Sequence, residues 1–237
     1  AEFIKYYSNA FFSLLISYSN EIANFCNKIG IDYIDVFNAF KLDNRLNINN
    51  KTPDVINYMI PGIGYGGSCF PKDIKTLIKF AERKKFKLSI LKNVDKINSL
   101  QPKLISEIIL KKFKEKKIKN CLILGLTFKE NTDDIRNSTS IDVINFLANS
   151  KFKIFVYDPI FTKKLFIKNK KLFNNKIKYI NKIDYSQSFD SVVVNNVSKE
   201  FRKIIKYYDK KYNSLIFDSR RAFRDEKIKN YIGSGLN

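Results

Sequence analysis

The chain of 237 residues contains no histidine. That absence removes Ser-His-Asp and Cys-His mechanisms at once, and with them any zinc held by imidazole. Acid–base chemistry is left to Lys, Asp, Glu, Tyr or Cys. Cysteine is scarce as well. Cys26, Cys69 and Cys121 form an odd, widely spaced set, unsuited to a disulfide framework and expected in a reducing cytoplasm. No apolar run approaches the length of a membrane span, and no signal peptide is expected from the opening residues. Acidic residues are few: 44 Lys and Arg face 23 Asp and Glu, a formal charge of +21. Such a balance suits a polyanionic partner, whether nucleic acid, anionic membrane or a phosphorylated small molecule. The lysines are scattered, however, with short clusters only at KKFKEKKIK and KNKK, which favours solvated faces over one concentrated nucleic-acid site.

What remains is a globular composition, with 44% hydrophobic and 14% aromatic residues, too apolar for a disordered chain. The opening Ala-Glu stands in what reads as the middle of a helix, so the sequence is expected to be a piece of a longer protein. Phe3, Tyr7, Ala10, Leu14, Tyr18, Ile22 and Phe25 recur at spacings of three and four, predicting an amphipathic helix that Gly30 stops. DYIDVFNAF predicts a second, shorter helix, and residues 41–61 read mainly as loop. Helical spacing returns after Pro71, and a long helix is predicted from about 89 to 117, with Pro102 a local irregularity.

The pattern changes at 118. IKNCLILG, FKIFVYD, SVVVNN and SLIFD read as buried strands separated by helical stretches, the alternation of a parallel sheet with crossovers. The expected fold is therefore α/β: a helical domain over 1–117, joined by the long helix to a Rossmann-like domain over 118–237. In such sheets ligands gather at the carboxyl ends of the strands, which puts GLTFKENTDDIR, after the first strand, at a binding edge.

Three constellations could carry chemistry. Lys5 and Asn9 stand four apart on one face of the first helix, where solvated surface is the alternative reading. Cys69 follows the glycine-dense GIGYGG and precedes Lys72 and Asp73. Glycines at that density mark left-handed backbone or close approach to a ligand, and a cation beside a thiol favours the thiolate; the alternative is a surface turn with an incidental cysteine. Lys129, with Asp133, Asp134 and Arg136, could hold a phosphate at the start of the following helix. No G-x-G-x-x-G follows a strand and opens a helix, so the glycines at 62–67 are a poor dinucleotide fingerprint.

Taken together, AEFIKYYSNAFFSLLISYSNEIA, PGIGYGGSCFPKD, LGLTFKENTDDIRNS and the closing IFDSRRAF resemble, in the right order, motifs of the UDP-glucose/GDP-mannose dehydrogenase family. GGSCFPKD is closest to members acting on UDP-glucose. The resemblance implies an NAD-dependent oxidation of a sugar C6 alcohol to the acid, with Cys69 as nucleophile, Asp73 positioning water, and Lys5 and Asn9 stabilising oxyanion character. It implies that Tyr58, Tyr65 and Gly66 line the sugar site, and that Phe128, Lys129 and Arg220 hold the UDP-sugar. Lys72 and Arg136 would meet NAD, and Arg45 would reach a neighbouring subunit's substrate in a homodimer. Neither nucleic acid, membrane nor metal is expected. GDP-mannose or another nucleotide sugar is the alternative substrate, and a non-catalytic basic module the alternative class. The sequence departs from the family pattern at Leu15, Glu130 and Ser219 and in a long loop from Arg45 to Tyr58. What is present resembles the central and C-terminal portions, without the NAD-binding domain that precedes them in the family.

Overall fold

The computed structural model describes residues 2–46 and 53–235. The middle of the long 45–58 loop, residues 47–52, lies outside them.

Helix α1 runs Glu2–Ile29 and α2 Tyr33–Phe40, the latter started by Asp32, whose carboxylate accepts from the Ile34 amide. Short 3-10 turns at Asn44–Leu46 and Asp54–Met59 occupy part of the segment read as loop. Helix α3 follows at Phe70–Arg83, and the long α4 at Ser89–Glu115, which passes through Pro102 without ending.

The helix predicted over the first residues is present, but its apolar stripe is split: Ala10 is buried and Ile22 packs on a buried cluster, while the rings do not face the core. Phe3, Tyr7, Tyr18 and Phe25 are exposed, whereas Ser13, Ser17, Asn20, Ala23 and Cys26 are buried. Small side chains let α3 and α4 approach α1 closely, and the Ser17 hydroxyl donates to the Val94 carbonyl of α4 at 3.2 Å. The stripe of rings is left bare on this chain.

From residue 120 the chain forms strands β1 (Asn120–Leu124), β2 (Lys153–Tyr157), β3 (Lys178–Tyr179), β4 (Ser191–Val194), β5 (Leu215–Asp218) and β6 (Tyr231–Gly233). All pairings are parallel, in the order β3-β2-β1-β4-β5-β6, the arrangement of a doubly wound nucleotide-binding sheet. The chain is thus a mixed α/β fold, as its alternating pattern predicts. Strands β3 and β6 were not among the predicted ones.

Alternation along β1 serves two cores. Cys121 and Ile123 point into a layer with Ile141 and Ile144 of α5 (Thr139–Ala148), while Leu122 and Leu124 point into a layer with Phe201, Ile204 and Tyr208 of α7 (Lys199–Tyr212). Helix α6, Lys163–Lys168, adds Phe166 to the first layer. Ile105, Ile109 and Phe113, on the last turns of α4, also enter that layer, so α4 begins among the helices and ends on the sheet. This places the glycine loop, held on α4, against the carboxyl end of the sheet.

Candidate functional site

The stretch between Gly62 and Cys69 has no regular structure, so its backbone polar groups need partners from elsewhere. Amide side chains supply them. Gly62 N donates to Asn20 Oδ1 and Gln101 Nε2 donates to Gly62 O, both at 2.7 Å. Asn98 accepts from Tyr65 N at 2.8 Å and donates to Tyr65 O at 3.0 Å. Gly67, at φ +82, has the left-handed backbone that side chains resist. Gly66 is glycine for a different reason: a Cβ there would lie 2.1 Å from the Asn137 carbonyl oxygen.

The loop delivers Cys69 to the start of α3, with Pro71 in the first turn. Cys69 is exposed, and Cys26 and Cys121 are buried. One turn into α3, Asp73 is 3% exposed and donates its backbone N–H to Cys69 O at 2.8 Å. Asn9 Nδ2 reaches the Asp73 carboxylate at 2.6 Å, and Lys5 Nζ lies 3.5 Å from it. The lysine and asparagine four apart on α1 therefore converge on a buried carboxylate one helical turn after Cys69.

From the sheet side comes the connection after β1. Leu126 N is held by Asp158 at 2.9 Å, and Ser138 Oγ closes the turn onto Leu126 O at 2.7 Å. Within it, the ring of Phe128 lies over Gly67, and Lys129 Nζ sits 5.5 Å from that ring's centroid. Arg220, just past β5, donates to Asn195 O at 3.0 Å and to Gly64 O at 3.3 Å. Burial pulls its pKa down to about 10, which leaves a cation at neutral pH.

A cleft of about 460 Å³ joins the two sides. Tyr58, Tyr65, Gly66 and Cys69 line it from the helical side, and Phe128, Lys129 and Arg220 from the sheet side. Tyr58 is braced by Phe12, with ring centroids 4.6 Å apart. Lys5, Asn9 and Asp73 do not line the cleft; Asp73 stands one helical turn after Cys69, and Lys5 and Asn9 meet its carboxylate. Lys72 is exposed. Arg136 is turned onto Asp134 in a two-pronged pair at 2.7–3.0 Å, which holds that carboxyl below the usual range. Arg45 pairs with Asp43 and lies outside the cleft.

Sequence reasoning missed Asn20, Asn98, Gln101 and Asn137, the amides that hold the loop. One signal existed: Asn98 and Gln101 follow Val94 and precede Ile105 at spacings of four, three and four, on the buried stripe of α4.

Among the described residues no group of His, Cys, Asp or Glu is assembled to hold a metal, and no helix is long and apolar enough to cross a membrane. The usual dinucleotide crevice of such a sheet, between the ends of β1 and β4, is filled: Gly125 packs on Asn196, and Asn196 donates to Thr127 Oγ1 at 2.9 Å. A cavity of about 20 Å³ remains there. Exposed cations of the kind a phosphorylated cofactor needs stand instead at Lys72, three residues after Cys69, and at Arg136, whose carbonyl accepts from Gly67 N.

Comparison with known proteins identifies both halves of the chain. Residues 1–100 match the central domain of the UDP-glucose/GDP-mannose dehydrogenase family, and residues 122–225 match that family's UDP binding domain. A UDP-glucose 6-dehydrogenase of Rickettsia typhi is 33% identical over 232 residues, 97% of this chain and 51% of that protein. One from Bacillus subtilis is 33% identical over 226 residues, 94% of this chain and 49% of its own length. Among solved structures, a UDP-glucose dehydrogenase from Pyrobaculum islandicum superposes with a TM-score of 0.77 at 27% identity, covering 100% of this chain and 51% of that one. The chain spans about half the length of the curated relatives it matches. With two successive domains of one family matched in order along it, the chain belongs to the UDP-glucose/GDP-mannose dehydrogenase family.

Proposed function

We propose that this chain supplies the nucleophile and the nucleotide-sugar site of an NAD-dependent 6-dehydrogenase that oxidises UDP-glucose to UDP-glucuronate. The observation that carries the reading is the single cleft in which an exposed thiol meets the cations Lys129 and Arg220. Residues 1–117 and 118–237 act as its two walls.

In this reading the Cys69 sulfur adds to the C6 aldehyde, forming a C–S bond and an alkoxide that takes up a proton as a thiohemiacetal. Loss of hydride from C6, together with the hydroxyl proton, gives a thioester. Water then cleaves the C–S bond, releasing the carboxylate and returning the thiol. Two NAD molecules, bound in turn, would supply the hydride acceptors for the oxidation of alcohol to aldehyde and of thiohemiacetal to thioester, and Lys72 and Arg136 would be the residues that meet them. Lys5 and Asn9 offer donors to the developing oxyanion, and Asp73 orients water. Tyr58 and the Tyr65–Gly66 backbone shape the sugar end; Phe128, Lys129 and Arg220 face the nucleotide. The bare rings of α1 suit a second copy of the chain, and a homodimer is where Arg45 could act across an interface.

Two measurements test this. Iodoacetamide, read by mass spectrometry, is expected to label Cys69 well before Cys26 or Cys121, with UDP-glucose slowing the reaction. Preferential labelling of either buried cysteine would remove the nucleophile. In calorimetry, Lys129→Ala is expected to weaken UDP about ten- to a hundredfold, the loss of a charge-assisted bond of about 1.5–3 kcal/mol. UDP binding indifferent to this change would overturn the assignment of the nucleotide end.

A further inference from the structure

The segment carrying Lys129 is a self-contained turn. Thr127 Oγ1 donates to Lys129 O at 2.9 Å, Phe128 N to Asp134 O at 3.2 Å, and Ser138 N to Ile135 O at 3.1 Å. This turn grips the glycine loop where the two meet. Gly67 N donates to Arg136 O and Asn137 Nδ2 donates to Gly67 O, each at 3.0 Å. Both main-chain polar groups of Gly67 are thus held by consecutive residues of the opposite wall, two positions before Cys69. Asn137 has φ 48, a left-handed backbone that asparagine tolerates better than most residues, and its carbonyl oxygen is the atom pressed against Gly66.

Resting on the reading of Cys69 as nucleophile and Lys129 as a nucleotide contact, we propose that Asn137 is a positioning residue. It locks the Cys69 loop onto the turn that carries Lys129, so that a ligand at the nucleotide end is felt at the thiol. The chemistry of the lock is one amide donor on one carbonyl. An isosteric carboxylate in its place cannot donate to Gly67 O when ionised, but can do so once protonated.

Asn137→Asp therefore discriminates a specific hydrogen bond from general support, with Asn137→Gly, which keeps the backbone geometry and removes the side chain, as the second variant. Hydrogen exchange of the 62–70 segment in the 237-residue chain is expected to rise roughly three- to tenfold in both variants at pH 7, with β1 and β4 unchanged. Relative to native protein at each pH, the Asn137→Asp excess should shrink as pH falls through about 4, and the Asn137→Gly excess should not. UDP has no sugar to cover Cys69. Even so, it is expected to alter the Cys69 alkylation rate in native protein, an effect reduced at least threefold in both variants while UDP affinity stays within about threefold. Native exchange of the 62–70 segment in the variants would overturn the proposal. Loosening that spreads equally to β1 and β4, or an undiminished UDP effect on Cys69, would overturn it too. Failure of native protein to bind UDP would overturn the functional reading instead, and the exchange comparison would still decide the lock.

Discussion

Asp32→Ala is expected to lower the unfolding free energy by about 3–5 kcal/mol, the cost of leaving a buried charge without its partner. The Arg221 side chain is 4% exposed, and its Nη2 donates to both Asp32 oxygens, at 2.9 and 2.7 Å. Its Nε and Nη1 are buried with no hydrogen-bond partner among the described residues, so Asp32 takes the guanidinium's carboxylate bonds, while the buried Asp218 carboxyl shares its charge without bonding it. The same carboxylate starts α2, a contribution of about 1 kcal/mol that is lost as well. Arg221→Met should cost much less, because it removes the charge together with the need to compensate it, and Asp32, 22% exposed, can be hydrated. Urea unfolding followed by circular dichroism reads both. A loss below about 1 kcal/mol for Asp32→Ala would show that the guanidinium does not depend on this carboxylate.

Gly66→Val should cost about 3 kcal/mol, at the upper end for overpacking, and should displace the Cys69 loop. The obstacle is a main-chain oxygen at the end of a hydrogen-bonded turn, which cannot swing aside. Gly62→Ala is the control. There a Cβ meets the Arg220 side chain at 3.1 Å, and a long side chain can yield, so the expected stability loss is under about 1 kcal/mol. Thermal unfolding and Cys69 alkylation measured on both variants separate the two cases. Equal losses would mean that the walls of the cleft are softer than their hydrogen bonds indicate.

The strands that could be read from sequence are those whose side chains face two cores. CLIL, IFVY, SVVV and LIFD give near-continuous apolar runs because helices cover both faces of the sheet. Strands β3 and β6, two and three residues long at the sheet edges, leave too little pattern to detect. Helix α1 shows where periodicity misleads: the spacing identifies a helix but cannot say which face is covered, and close packing selected the serine side. The motif residues Cys69 and Lys129 were visible because their loops have unusual composition. Asn98 and Asn137 were not, since an isolated asparagine looks like surface, and each bonds main-chain groups dozens of residues away.

The glycine loop is fastened mainly by neutral amides, Asn20, Asn98, Gln101 and Asn137, with Arg220 adding one charged donor to the neutral carbonyl of Gly64. In a chain of net charge +21, long-range electrostatic forces change strongly with ionic strength, and fastenings made of ion pairs would slacken as salt rises. Amide dipoles bonded at contact distance are nearly indifferent to it. The shape of the cleft around Cys69 is therefore insulated from changes in electrolyte that alter how fast an anionic ligand arrives, which separates the chemistry of the thiol from the physics of ligand capture.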